Sequence, residues 1–376
     1  LTLRGFGPKT QKKIAEAIEF FRAQDTRWLL PKAMQFAEML REHLEELAGI
    51  EQVAVAGSIR RRLEIVRNVN LCIVASDLAV AAHSVMSVDF LDRAEQVDPT
   101  SIRAQSRTAM PVAVRLCTAD EFPTALLFTT GSAPFVESIV AHAGRKGFVL
   151  APEGLTRSGK RIALSSESEV FEKIGIATVE PELREEPPRN LRPRPRLIDV
   201  SDLRGAFHVH NTFSDGKATV YEMLEAASLL GLAYVGMSDH SPTAYYARGL
   251  TEERLAEQHA EIDQHARSFS SMRIFKGTES DILGNGDLDY PPEILAKLDF
   301  VVASVHSRFK MGSEEMTERI LRAIRNPFTT FLGHLTGRRL LSREGYRVDY
   351  DAVFAAAAKE GVILEINGNP NRLDLD

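Results

Sequence analysis

The sequence predicts a multidomain α/β protein, on three observations. At 376 residues the chain is longer than a single hydrophobic core usually serves. Its first half interleaves helix-like stretches with short Val- and Ile-rich runs, and its second half repeats a strand, helix, strand alternation. Between the halves lies a Pro- and Arg-rich segment with no apolar period, which suits a stiff, extended tether.

Composition narrows the functional classes. Hydrophobic content of 44% and charged content of 26% are ordinary for a soluble globular protein, and no apolar run reaches the roughly 18 residues of a membrane span. The opening LTLRGFGPKTQKK lacks signal-peptide order, and Cys72 and Cys117 are too few for a disulfide framework, so a reducing cytoplasm and no membrane partner are expected. A formal net charge of −6 argues against coating nucleic acid by bulk attraction and directs attention to local clusters. These are Lys9, Lys12 and Lys13; Arg60 to Arg62; and the Arg/Pro stretch from Arg184 to Arg196, each by default a solvated face.

Along the first half, residues 3–21 read as a short helix end, a Gly-Phe-Gly turn and an amphipathic helix with Ile14, Ala17, Ile18 and Phe21 at helical spacing. A second helix follows Pro31, with Phe36, Met39, Leu40, Leu44 and Leu47 on one face. Strands are expected at 52–56, 69–75, 111–117 and 125–130, completing a small mixed α/β domain. In the second half GAFHVH, AYVGMSDH, RIFKGTE, FVVASVH, TTFLGH and GVILEIN read as successive strands of a parallel sheet or barrel.

The polar residues at the ends of those strands carry the chemistry. His208 and His210 end the first, His240 the second, Glu279 the third, His306 the fourth and His334 the fifth, and C-terminal strand ends gather at one face of a barrel. His208 and His210, two apart in an extended strand, are expected to share a face and an ion, with Asp215 in the following Ser-Asp-Gly turn within reach. One His at a strand end is usually a structural hydrogen-bonding residue; a convergent set is not explained that way. His43, His83, His142, His259 and His265 stand in polar or helix-like context and read as surface residues.

Such a set exceeds what one ion needs, so roughly two or three divalent ions are expected, with Glu279 as a bridge. Imidazole and carboxylate without thiolate suit Zn, Mn or Fe. Clustered ions lower the pKa of bound water and neutralise a phosphoryl group, which points to phosphate-ester hydrolysis at a metal-bound water beside Glu279. Arg248, Arg338 and Arg372, in loops after strands, are candidates for gripping substrate phosphate.

The motifs HVHNTFSDG (208–216), SDHS (238–241), GTESDIL (277–283), ASVHS (303–307), GHLTGR (333–338) and LEIN (364–367) resemble the polymerase-and-histidinol-phosphatase (PHP) domain, in the version fused to bacterial family X DNA polymerases. The resemblance implies a distorted seven-stranded (β/α) barrel, metal ions with Mn favoured, and 3′-to-5′ exonuclease or related DNA-end phosphoesterase activity. It also implies a final Asp-x-His motif after the LEIN strand, beyond Asp376, so a chain ending there is expected to bind fewer ions.

The first half resembles the same family. LRGFGPKT (3–10) looks like a helix-hairpin-helix, in which Gly5 and Gly7 bring backbone N–H groups to a DNA phosphate while Lys9 and Lys12 add charge. AGSIRRRLE (56–64) resembles the nucleotidyltransferase palm, which implies nucleotide binding by Gly57, Ser58 and Arg61, and LLFTTGS (126–132) resembles the cradle, with Gly131 and Ser132. Two-metal nucleotidyl transfer needs three carboxylates. Here the corresponding positions are Asn68, Asn70 and Ala113, which are poor ligands for Mg²⁺ or Mn²⁺, so polymerase activity is expected to be weak or absent.

The expected organisation is therefore a helix-hairpin-helix over 1–25, a family X-like palm and thumb over 26–181, a linker over 182–202 and the PHP domain over 203–376. Expected partners are DNA, gapped or with 3′ ends, and a dNTP. Two alternatives share the motifs: a small-molecule phosphatase of the histidinol-phosphatase type, which would have no use for the first half, and a non-catalytic DNA-end-binding scaffold.

Overall fold

The computed structural model describes residues 7, 11–12, 27–188 and 196–375. Most of the helix-hairpin-helix read over 1–25, Gly5 and Lys9 included, thus lies outside the described residues, although the Gln11 N–H does donate to the Gly7 carbonyl at 3.0 Å. The chain divides into two compact units, Leu1–Pro195 and Arg196–Asp376.

In the first unit, helix α1 (Leu30–Glu45) opens with Pro31 in its first turn, where a missing N–H costs nothing. It buries Leu30, Ala33, Ala37, Leu40 and Leu44. Met39, expected on the apolar face, is instead exposed, because it lies off the stripe of Ala33, Ala37, Leu40 and Leu44 that the helix buries. The sheet runs β1 (Gln52–Ala56), β2 (Val69–Val74), β3 (Leu91–Asp98), β4 (Ser101–Ser106) and β5 (Pro111–Cys117), in the order β1-β2-β5-β4-β3. β2 and β5 pair in parallel, and the other neighbours are antiparallel. Helix α2 (Gly57–Arg60) follows β1 directly, and α3 (Leu78–Met86) follows β2 with Asp77 as its N-cap.

Residues 125–130 are not the strand their apolar run predicts; they lie in helix α4 (Phe122–Thr130), which has Pro123 in its first turn. A short run buried on all sides looks alike in both states, since Ala125, Leu126 and Leu127 all face protein. Ser132 caps α5 (Ala133–Arg145), a meander of β6 (Phe148–Ala151), β7 (Gly154–Arg157) and β8 (Lys160–Ile162) follows, and α6 (Glu167–Lys173) packs beside α4. His142, read as a surface residue, is buried in this layer with Nε2 3.0 Å from the Ile174 carbonyl. Arg184 is no solvated tether residue either. It is 2% exposed, ion-paired to Glu167 at 2.6 Å, and its Nε donates to the Val179 carbonyl at 2.8 Å.

The second unit is a six-stranded parallel sheet whose spatial order is its chain order: β9 (Gly205–Val209), β10 (Tyr234–Met237), β11 (Arg273–Asp281), β12 (Phe300–Ser304), β13 (Phe331–Leu332) and β14 (Ile363–Leu364). Helices α7 (Val220–Leu229), α8 (Glu252–Ala266), α9 (Ser313–Ile324) and α10 (Tyr350–Glu360) lie on the crossovers. Thr219, Thr251 and Asp349 cap α7, α8 and α10, so three of the four crossover helices begin at a side-chain cap. Inside the curl, Phe207 packs on Tyr234, Phe275, Phe300 and Phe331 with centroids 4.9–5.5 Å apart, a half-buried aromatic floor.

Candidate metal centre

Above that floor stands Glu279. Side chains two apart on β11 share a face, so Phe275 below it and Asp281 above it point the same way into the curl. Glu279 is 1% exposed, and five imidazoles surround its carboxylate. Oε1 lies 3.0 Å from His208 Nε2, 3.1 Å from His306 Nε2 and 2.9 Å from His334 Nε2. Oε2 lies 2.9 Å from His240 Nδ1 and 3.4 Å from His210 Nε2.

His208 and His210 do share a face, and a bulge just before them decides which face it is. His208 takes φ +62°, and the β9–β10 register shifts between Ala206 and Val209. This bulge turns Val209 outward, against the cluster containing Val220 and Leu224, while both flanking imidazoles turn inward. A His in the left-handed region costs of order 1 kcal/mol or more, and such outliers gather at functional sites.

Asp215 accepts from His210 Nδ1 at 2.9 Å and stands 3.7 Å from His240 Nε2. Four groups of side chains bring donor atoms within 4.8 Å of one another: His208, His210 and Glu279; His210, Asp215 and His240; His240, Asp281 and His306; Glu279, His306 and His334. All seven residues expected as ligands converge, and Asp281 joins them. The sequence carries the signal for it, since Asp281 follows Glu279 at the strand period of two.

The donor set fits divalent ions. His210 Nε2, His240 Nδ1, Glu279 Oε2, His306 Nε2 and His334 Nδ1 are all buried without a hydrogen-bond partner. Buried polar atoms normally have partners. Here nitrogen and carboxylate approach to 2.9–3.4 Å without hydrogen-bond alignment, as lone pairs do when they face a common cation.

Two further carboxylates hold the ring. Glu365, just past β14, accepts from His208 Nδ1 at 2.5 Å and from the His334 N–H at 2.6 Å. Asp239, 1% exposed, accepts from the Asn211 N–H at 3.0 Å, Asn211 Nδ2 at 2.6 Å and the Ser214 N–H at 3.1 Å, and also from Gln258 Nε2, fixing the loop that carries Asp215. Neither was expected as a site residue, although both lie in quoted motifs.

Electrostatics follows from the crowding. Burial works against charge on every member, yet His306, His208 and His240 outweigh it and hold Glu279 well below the usual carboxylate range. In return, although burial opposes it, Glu279 with Glu365 raises His208 to about 10, Glu279 with Asp215 raises His240 to about 9, and Glu279 with Asp281 raises His306 to about 9. Burial wins at His334, which falls to about 4. Without an ion, His208, His240 and His306 thus favour the protonated form beside the Glu279 carboxylate, while His334 favours the neutral one.

Of the three arginines expected to grip phosphate, Arg248 donates to the Ser214 carbonyl, and Arg338 donates to the carbonyls of Arg372, at 3.0 Å, and Leu373. Arg372 sends Nη1 to the Arg338 carbonyl at 3.3 Å, and its charge helps depress His334. Tyr246 stands at the mouth, ring centroids 5.8 Å from His240 and 6.3 Å from His306.

In the first unit Asn70 lies opposite Ala113 across the β2–β5 register, and Asn68 Nδ2 donates to Asn70 Oδ1 at 3.0 Å. The three positions are adjacent and carry no carboxylate. Gly57, at φ +63°, lets α2 turn beside them, since a Cβ there would lie 2.1 Å from Asn70 Nδ2. Arg61 donates to the Thr130 carbonyl at 2.6 Å and pairs with Glu185 at 2.7 Å. Ser132 Oγ donates to the Glu185 carbonyl at 2.6 Å, so Arg61, Gly131 and Ser132 gather at one corner, one turn of chain from Ser58. Among the described residues, the His, Cys, Asp and Glu groups able to hold an ion all lie in the second unit. Cys72 and Cys117 are free thiols with sulfurs 3.8 Å apart.

The sheet curl with its His and carboxylate cluster defines the class: a parallel α/β barrel protein with a site for divalent metal at the strand ends. The PHP domain family matches residues 206–369, and the DNA polymerase beta thumb family matches residues 125–185. Over 99% of its length the chain is 33% identical to the DNA polymerase/3′-5′ exonuclease PolX of Bacillus subtilis, covering 66% of that protein. It is also 33% identical to a probable phosphatase of Clostridium acetobutylicum and 31% identical to one of Syntrophotalea carbinolica, in each case over 43% of this chain and 62% and 64% of theirs. The chain belongs to the bacterial family X DNA polymerases that carry a PHP domain, and spans just under two thirds of the length of these relatives. No helix among the described residues is long and apolar enough to cross a membrane.

Proposed function

We propose that the second unit is a metal-dependent DNA phosphoesterase, acting on 3′ ends as an exonuclease or end-processing enzyme, and that the first unit binds DNA without effective nucleotidyl transfer. The observation that carries this is the ring of five imidazoles around Glu279 with its buried, unpartnered nitrogens. His208, His210, Asp215, His240, Glu279, His306 and His334, together with Asp281, would hold two or three divalent ions, with Mn favoured over Zn or Fe. Bound there, the ions supply an activated water and neutralise phosphate charge. The chain's own part is to hold the donors rigidly: Glu365 and Asp281 fix the imidazoles of His208 and His306, and Asp239 fixes the loop of Asp215. Arg372, beside His334, is the best placed of the three arginines to meet a phosphate.

Asn68, Asn70 and Ala113 support the loss of polymerase chemistry, and Gly57, Ser58, Arg61, Gly131 and Ser132 would then serve DNA or dNTP binding. Degradation of 5′-labelled single-stranded and gapped DNA with Mn²⁺, beside a small phosphomonoester, tests the assignment. Stepwise 3′ shortening supports it; cleavage of the small ester alone would replace it with the phosphatase reading, which the probable phosphatases favour but which leaves the first unit without a role. Binding without turnover would leave the scaffold.

A further inference from the structure

The mouth of the metal centre carries an aromatic surface that the hydrolytic reading does not use. Tyr245 and Tyr246 are 83% and 69% exposed, far more than an aromatic ring placed for packing. Tyr246 nevertheless leans over the site, its centroid 5.8 Å from that of His240 and 6.3 Å from that of His306. Both histidines present nitrogens to Glu279, so the ring lies within one nucleotide's reach of any phosphate held there.

The turn that carries the ring is rigid. His240 leads into Ser241 to Ala244, where Thr243 bonds Asp289 through N–H and Oγ1 at 2.7 and 2.8 Å. Ala247 and Leu250 are buried behind it, and the Leu250 N–H returns to the His240 carbonyl at 2.8 Å. Gly249 passes so close to the start of the loop that a Cβ would lie 1.9 Å from the Ser241 carbonyl oxygen. Arg254 ties the far side, donating to the Arg248 carbonyl at 2.8 Å. A loop closed at both ends, buried behind and aromatic in front holds a ring in one place, which is what low-cost stacking requires.

We infer that Tyr246 is a stacking platform for the base of the nucleotide whose phosphate occupies the metal centre, which makes an unpaired, base-bearing DNA end the preferred substrate. Base stacking on an exposed aromatic ring is sequence-tolerant, so it selects single-stranded nucleic acid without reading it. A small phosphate monoester has nothing to place there. The inference rests on the nuclease assignment above.

The test compares a 5′-labelled oligonucleotide ending in a normal 3′ nucleotide with one ending in an abasic residue, both single-stranded and with Mn²⁺. The preference for the base-bearing end is expected to fall about tenfold in Tyr246→Ala, to survive in Tyr246→Phe and Tyr246→Trp, and to change little in Tyr245→Ala. Metal content measured on the same preparations shows whether the centre is intact, and a Tyr246→Ala protein with reduced metal is read through the Phe and Trp variants alone. Equal losses on both ends, an unaltered preference, or a Phe variant as poor as the Ala variant would overturn the inference and leave the nuclease reading standing. If the unmodified protein shortens neither oligonucleotide, the nuclease reading fails and the inference fails with it.

Discussion

Glu365 accepts a hydrogen bond from His208 Nδ1 at 2.5 Å, although 157 residues separate them in the chain. The bond selects the tautomer that turns His208 Nε2 toward Glu279, and the same carboxylate also holds the His334 N–H. A carboxylate behind a ligand imidazole typically contributes one to two orders of magnitude to metal affinity. Glu365→Gln is therefore expected to weaken Mn²⁺ binding by about 10- to 100-fold while leaving the fold intact, as read by titration calorimetry and circular dichroism. Unchanged affinity would show that His208 needs no such support.

Glu279 is the residue that all five imidazoles of the site face. Glu279→Gln keeps the volume but removes the charge facing five imidazoles, so bound metal measured by elemental analysis is expected to drop by at least one ion per chain. Phosphoesterase activity should fall by about 10³-fold or more, given that clustered ions supply both the nucleophile and the charge compensation.

Protons and metal compete for the same nitrogens. His208, His240 and His306 are raised to about 10, 9 and 9, so at neutral pH each holds a proton that a metal ion must displace. Metal affinity is expected to rise with pH up to about 9, and calorimetry in buffers of different ionisation enthalpy should show net proton release. The metal-free protein should behave in the opposite sense. Folded pKa values above the ordinary imidazole value of 6.5 give stability that is complete below that pH and is lost as pH rises toward 9 to 10. The Tm of the metal-free protein should thus fall over that window while that of the Mn²⁺ form rises; parallel trends would contradict this account.

In the first unit, templated primer extension is expected to be negligible with Mg²⁺ or Mn²⁺, and Asn68→Ala or Asn70→Ala should change it little. Robust synthesis abolished by either substitution would show that the amides serve as ligands after all.

Glu167 sits between two guanidinium groups, Arg184 at 2.6 Å and Arg60 at 2.5 Å, and is held below the usual carboxylate range despite its burial. Glu167→Gln leaves Arg184, 2% exposed, as an uncompensated buried charge, which should cost about 3–5 kcal/mol in urea unfolding. Replacing Arg184 by Met in the same chain should recover part of that loss.

The strand ends were legible because each pairs a short β-branched run with an abrupt polar residue, and one polarity of strand puts all such ends on one face. What hid was whatever depends on partners far along the chain. Glu365 gave no sign that its carboxylate would meet His208. Arg184 looked like part of a charged tether because its ion pair with Glu167 exists only after folding. The run at 125–130 was ambiguous because burial on every side erases the periodicity that tells helix from strand. Met39 lies about 100° round α1 from Leu40, off the buried stripe, and an apolar residue beside that stripe looks like part of it in the sequence. The bulge at His208 was invisible for a different reason: an alternating pattern cannot announce the residue at which it breaks.

Among the described residues the six parallel strands end in two unpaired edges, β9 and β14. The backbone ladder stops there, but the circumference does not: His208 from one edge strand and Glu365 from just beyond the other meet side chain to side chain. The metal centre is thus also a clasp. Ions drawn to it would fasten together the first and last strands of the unit, so that the same residues proposed to carry catalysis hold an open curl in the shape of a barrel.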